Sequence, residues 1–264
     1  MAESPSPLFD AHLHPEGLSD DDLESMRLFG VEEALIVTHH KPHPALKAKD
    51  ILEDFDHLLG RELRRCERAG IRAWAALGVH PQSLPPRGLP EVLSALPGYF
   101  TGGKVVAVGE IGFHRGGEAE AEAFTEQLSL AKRLKLPVVV HTPQRSKETL
   151  TRRALTLIRA SGIGAQQVLV DHCNAKTVRL VLECGHTAGL TVHPDELSAE
   201  RAVAQVRALG TERLVMNSDS GYGASDILGL ARAARLLEKG ELSPAVIARV
   251  TRTNARRFFR IDAA

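Results

Sequence analysis

Aromatic side chains are scarce in this sequence: only 4% of its 264 residues are Phe, Tyr or Trp, with one Trp and two Tyr. A protein that stacks successive bases of a single strand needs many ring faces, so nucleic acid is a partner the composition admits but does not favour. Neither charge is in excess. Lys and Arg total 33 against 33 Asp and Glu, a formal net charge of zero, which argues against a dedicated nucleic-acid or membrane-surface binder. The cysteines, Cys66, Cys173 and Cys184, are odd in number and show no C-x-x-C spacing. They read as reduced thiols of a cytoplasmic protein. No apolar run approaches the ~18 residues of a membrane span. The opening MAESPSP is short, acidic and proline-rich, without the basic and apolar regions of a signal peptide. A cytoplasmic location with no membrane partner is therefore expected, while oligomeric state is left open.

Apolar residues make up 43% of the chain, enough for a sizeable core, and they come in short runs. Strand-like segments begin at Leu8, Glu33, Ala73, Lys104, Leu136, Gln167, His186 and Arg213. Most are apolar on both faces, as strands buried between helices and a barrel interior must be. Helical patterns lie between them. SDDDLESMRLFG opens on Ser19 as an N-cap, carries acids in its first turn and closes with Gly30. Alternating strands and helices imply parallel pairing. Eight such units in this length predict an α/β fold of the (β/α)8 TIM-barrel type forming one domain, 1–264; an open doubly wound sheet is the alternative.

Potential metal ligands recur at one address, the carboxyl ends of the predicted strands. They are His12 and His14, His39 and His40, His80, Glu110, His141, Asp171 and His172, and Asp219. Alternate strand residues share a face, so His12 and His14 project together. By the same rule Asp171 and His172 face opposite ways, and Asp171 reads as structural beside a functional His172. Each residue alone has an ordinary explanation: Glu110 in an ion pair, His141 as a hydrogen-bonded core histidine, Asp219 as a helix cap. Taken together, His12, His14, Glu110, His141, His172 and Asp219 predict a metal site. The donor types suit two divalent ions, Zn²⁺, Mn²⁺ or Mg²⁺. A carboxylate such as Glu110 can bridge them. A water on the metal would ionise near neutral pH and act as nucleophile, with Asp219 orienting or deprotonating it.

This pattern resembles the TatD family of metal-dependent hydrolases within the amidohydrolase-like barrels. The matching segments are FDAHLH (Phe9 to His14), LGVHP (Leu77 to Pro81), VGEIGF (Val108 to Phe113), LPVVVHT (Leu136 to Thr142), DHC (Asp171 to Cys173) and NSDSGY (Asn217 to Tyr222). The closing TNARRFF (Thr253 to Phe259) also matches. The resemblance implies that His12 and His14 bind one metal beside Asp219. It further implies that Glu110 bridges, that His141 and His172 hold the second metal, and that His80 faces the substrate. Three departures stand out. His114 occupies the place of the Asp that ends the family's GEIGLD, Pro143 the place of an Arg after the strand-five His, and Asn174 the place of Phe in HCF. The lost Arg weakens the grip on a nucleic-acid phosphate, since Arg offers a bidentate fork; Arg115 or Arg145 can compensate only from a loop.

Three functions remain open on this reading. The first is phosphoester hydrolysis of nuclease or phosphodiesterase type, with His80, His114 and Arg145 on the substrate. The second is hydrolysis of a lactone, amide or other carbonyl bond in a small metabolite. The third is a non-catalytic metal-binding barrel serving a complex or pathway. A histidinol-phosphatase-like barrel also begins with His-x-His, but the Asp-x-His expected near its final strand is missing from NSDSG. The basic stripe Arg249, Arg252, Arg256 and Arg260 reads as a solvated helix face, Phe258 and Phe259 as core, and Cys173 as no nucleophile.

Overall fold

The structure, a computed structural model, describes residues 6–38 and 47–261. Among the described residues, eight strands form one parallel sheet in the order β1 to β8. They are β1 (Leu8–Leu13), β2 (Val31–Val37), β3 (Arg72–Leu77), β4 (Val105–Gly112), β5 (Val138–His141), β6 (Val168–Val170), β7 (Thr187–Thr191) and β8 (Leu214–Asn217). Backbone bonds just past β8 return to β1: His14 N donates to Ser220 O at 2.9 Å and Asp219 N to His12 O at 3.1 Å. The sheet thus closes into a TIM barrel, as the alternation of elements predicts. The second predicted strand runs on to His39, and His39 and His40 lie outside the described residues.

Helices cover the outside. They are α1 (Asp20–Leu28), α2 (Ala48–His57), α3 (Leu63–Arg68), α4 (Leu89–Tyr99), α5 (Glu118–Leu134), α6 (Lys147–Ser161), α7 (Val178–Glu183), α8 (Ala199–Leu209), α9 (Gly229–Lys239), α10 (Pro244–Ala248) and α11 (Asn254–Phe258). Ser19 caps α1 as expected, in a reciprocal capping box with Asp22. The helical patterns read from the sequence do not include α2 to α4. A π-turn, Leu58–Glu62, joins α2 to α3 around Gly60, and Pro90 and Pro97 punctuate α4, so their local signals are interrupted. Among the described residues, no helix is long and apolar enough to cross a membrane.

The barrel interior is a second apolar layer, distinct from the one beneath the helices. Phe9, Ala11, Leu35, Val37, Ala76, Ala107, Val139, Leu169 and Val215 meet there, and Phe258 and Phe259 close its amino-terminal end. Aromatic rings fill this plug: Phe9 stacks on Trp74 and on Phe259, with ring centroids 6.0 and 6.2 Å apart. Both C-terminal phenylalanines are therefore core, as expected.

The basic stripe is not simply a solvated face. Glu33, 2% exposed near the start of β2, accepts from Arg252 at 2.9 Å and from Arg72 and Arg256. Burial acts to raise the pKa of Glu33, but these guanidiniums outweigh it and hold the carboxyl below its ordinary value. Such a carboxylate contributes stability above its unfolded value near 4.5 and loses it as pH falls through the lower folded value. Glu33→Gln should lower unfolding free energy by about 2–3 kcal/mol at pH 7. That deficit, measured by denaturant titration, should shrink below about pH 4.

Candidate metal centre

Two bulges aim the donors. Along β1, Asp10 pairs with Ala34 but Leu13 pairs with Ile36, so β1 carries one extra residue. Ala11 belongs to the inner layer and Leu13 to the outer, and the extra residue lets His12 and His14 follow Ala11 on the inside. The same happens on β4, where Val108 pairs with Val138 and Ile111 with Val140. Ala107 faces in, Val108 and Ile111 face out, and Glu110 turns in. His141 follows Val139 on β5 in ordinary alternation.

At the carboxyl end the donors converge around Glu110. Its Oε1 lies 2.6 Å from His141 Nδ1 and 2.9 Å from His172 Nε2. Its Oε2 lies 3.6 Å from His12 Nε2. His12 Nε2 is in turn 3.1 Å from His14 Nε2 and 3.6 Å from Asp219 Oδ1, which is 3.1 Å from His14 Nε2. The structure thus brings all six sequence-predicted ligand residues into one cluster with two lobes. Asp219 stands at a left-handed φ of 51° on the loop that also closes the barrel.

Hydrogen bonds set the tautomers. His12 Nδ1 donates to Asp171 Oδ2 at 2.7 Å, which leaves the Nε2 lone pair directed into the centre. His172 Nδ1 bonds Thr191 Oγ1 at 2.9 Å; that hydroxyl donates to Asp171 Oδ1, so Nδ1 carries a proton, and Nε2, 2.9 Å from Glu110 Oε1, is the nitrogen left to a metal once its own proton leaves. His80 is the opposite case. Its Nδ1 accepts from Gln82 N at 3.1 Å, so in the neutral ring Nε2 carries the proton, 3.8 Å from Glu110 Oε2. His80 therefore presents a donor rather than a lone pair, although its ring nitrogens lie close enough to Glu110 and His141 for a three-residue metal set.

Asp171 corrects the expectation that it faces away from His172. Strand β6 ends at Val170, and His172 adopts φ 55°, so period-two alternation no longer applies and both side chains reach the interior. Lys147 Nζ donates to the His172 carbonyl at 2.6 Å and to Glu196 at 2.8 Å, pinning that turn. Asp171 also accepts from Asn217 Nδ2 at 2.8 Å and from His172 N at 2.8 Å. Thr191, Asn217 and Gly189 are site residues the sequence reading missed. Asn217 shares the inward parity of Asp219, a signal that was present; nothing local marks Gly189.

Burial acts to lower the pKa of His12, but Glu110, Asp219 and Asp171 outweigh it and raise the ring to about 10. His172, driven chiefly by Asp171 and Glu110 against the same desolvation, rises to about 9. Burial would likewise raise Glu110, Asp171 and Asp219, yet the imidazoles hold all three below the carboxylate range. The buried cluster thus has an excess of negative charge that demands cations. Converging imidazole lone pairs and carboxylates offer a divalent ion what protons otherwise supply, so the residues fit a metal. Cys173 takes no part: burial pushes its thiol up to about 12, and the sulfur donates to Val170 O.

The remaining candidates sit at the rim. His114 is half-buried in the loop after β4, where Glu120 accepts from the backbone N–H groups of His114, Arg115 and Gly116. Arg145 is exposed in the loop after β5.

Known proteins resemble this chain over nearly its whole length. The sequence profile of TatD related DNases matches residues 9–260. An uncharacterized metal-dependent hydrolase of Methanocaldococcus jannaschii is 32% identical over 255 residues, covering 96% of this chain and 100% of its own. The crystal structure of a TatD-like protein from Archaeoglobus fulgidus superposes with TM-score 0.81 at 32% identity, covering 96% of this chain and 99% of that one. A phosphotriesterase homology protein from Escherichia coli, complexed with phosphate in its active site, shares the fold with TM-score 0.72 at 18% identity, over 97% and 100% of the two chains.

A Cβ on Gly189 would lie 2.0 Å from Asp171 Oδ1. Gly189→Ala should therefore displace the carboxylate that orients His12 and weaken divalent-metal affinity by roughly 10- to 100-fold. Competition against a chromophoric chelator, with circular dichroism confirming the fold, checks this.

Proposed function

The chain belongs to the TatD-related DNase family of metal-dependent hydrolases, and from that premise we propose that it hydrolyses a phosphoester with two divalent ions held in the lobes around Glu110. The observation that carries this reading is the division of the Glu110 carboxylate, one oxygen toward His141 and His172 and the other toward His12. His12, His14 and Asp219 would hold one ion and His141 and His172 the other, with Glu110 available to both. Bound Zn²⁺, Mn²⁺ or Mg²⁺ supplies Lewis acidity and lowers the pKa of a coordinated water.

The chain's own groups do the rest. Asp219, with Oδ1 turned toward His12 and His14, orients the attacking water and accepts its proton. The His80 Nε2–H, fixed by Gln82, donates to the oxygen on which charge develops. His114 and Arg145 contact the substrate from the rim. Asp171 stays out of the reaction and keeps His12 in its ligating tautomer.

One observation favours a second reading, the hydrolysis of a lactone, amide or related carbonyl bond in a small metabolite. Pro143, which is buried, stands where the family pattern has an Arg, so the loop after β5 lacks a guanidinium at that place for a phosphate. A neutral donor such as His80 serves a carbonyl oxygen equally well.

Plasma mass spectrometry on protein purified without chelator should find about two divalent ions per chain, as the two-lobed donor set requires. The count should fall in His12→Ala and in His141→Ala. Normal metal content in both variants would remove the ligand assignment. Asp219→Asn should keep most of the metal yet lose roughly 10²- to 10⁴-fold in kcat on a phosphodiester; unchanged turnover would exclude Asp219 as the proton acceptor.

A further inference from the structure

Beside the centre lies a cavity of about 100 Å³ between α2, the end of β3 and the turns that follow β1 and β3. Its apolar wall is Ile51, Phe55, Leu58 and Val79. Two further lining residues, Glu16 and His80, are shared with the centre. Glu16 Oε1 lies 3.9 Å from His14 Nδ1, and His80 Nε2 lies 3.8 Å from Glu110 Oε2. A substrate whose reacting oxygen meets the His80 N–H can direct one substituent toward this wall.

Among the described residues, most polar side chains of the lining have partners within the fold. The Thr38 hydroxyl donates to Gly78 O at 2.8 Å and to Gly109 O at 3.0 Å, so its proton is used inside the fold. His57 lies 3.2 Å from the buried carboxylate of Glu62. Asp54 and Glu16 also line the cavity and are themselves engaged in polar interactions. An apolar group loses nothing here and gains by leaving water.

We propose that this cavity is a substrate subsite for an apolar, uncharged substituent, a short alkyl chain or a single ring, on the group that reacts at the metal centre. The inference rests on the proposed hydrolytic reading of that centre and deepens it. It assigns the site to small esters bearing one apolar arm.

The test uses the Zn²⁺-loaded chain and calorimetry with two homologous series, n-alkylphosphonates and n-alkylhydroxamates, from one to six carbons. The Kd should fall about three- to fourfold for each added methylene until the cavity is full. Leu58→Phe should flatten the series while leaving the one-carbon member unchanged. Ile51→Ala should extend the dependence to longer chains, and it decides the matter if Leu58→Phe does not fold. A Kd independent of chain length in both series overturns the subsite and leaves the phosphoester reading standing. A slope confined to the hydroxamates supports the subsite and overturns the phosphoester reading. Slopes that neither variant alters, or no binding by any member, overturn the subsite.

Discussion

The closure of the barrel between β1 and β8 is the constraint on which the rest depends. Two backbone bonds make it, from His14 N to Ser220 O and from Asp219 N to His12 O. They join the two ends of the sheet through the very residues whose side chains form one lobe of the centre. Asp10 reinforces the seam by accepting from Ser218 N at 2.9 Å and from the Ser218 hydroxyl. Loop-closure entropy opposes contacts so distant in sequence, and this lobe exists only when the two ends of the sheet have met. Fold and site form together here.

Closure also creates the environment that gives the centre its electrostatic character. Below the donors the inner layer is largely apolar, with Phe9 stacked between Trp74 and Phe259. Charges placed above such a plug are poorly screened and interact strongly. Glu110, Asp171 and Asp219 remain ionised only because imidazoles or metal ions face them. Asp171 links the lobes. It holds His12 directly and fixes His172 through Thr191, so both rings receive their tautomers from one carboxylate. The Lys147–Glu196 pair fixes the backbone behind it. The amino-terminal end is organised by the inverse arrangement, a buried Glu33 ringed by guanidiniums, which ties the closing helix to the barrel wall.

The loops after the strands set what can approach. His80 is held by its own turn as a donor, the loop after β5 carries Pro143 and Arg145, and α2 walls an apolar cavity beside the centre. A scaffold committed to binding metal thus leaves substrate choice to segments outside the sheet, where sequence can change without disturbing closure.

Much of this was written in the sequence. The number and order of the strands follow from short doubly apolar runs, and the six ligand-type residues follow from their shared position at strand ends. Side-chain chemistry and local periodicity are properties of neighbouring residues, so a linear reading recovers them. Other features belong to pairing partners far away in the chain. The bulges that turn His12 and Glu110 inward depend on register with β2 and β5. The positive φ of His172 brings Asp171 and His172 into the same interior despite their adjacency. Gly189 is required only because Asp171 packs against it, and Arg252 and Arg256 lose their solvated character only because Glu33 lies beneath them. The sequence by itself determined the donors and the barrel that carries them. Tertiary structure alone decided which nitrogen of each ring faces the metal site, because tautomer and register are set by hydrogen bonds between segments that meet only when the barrel closes.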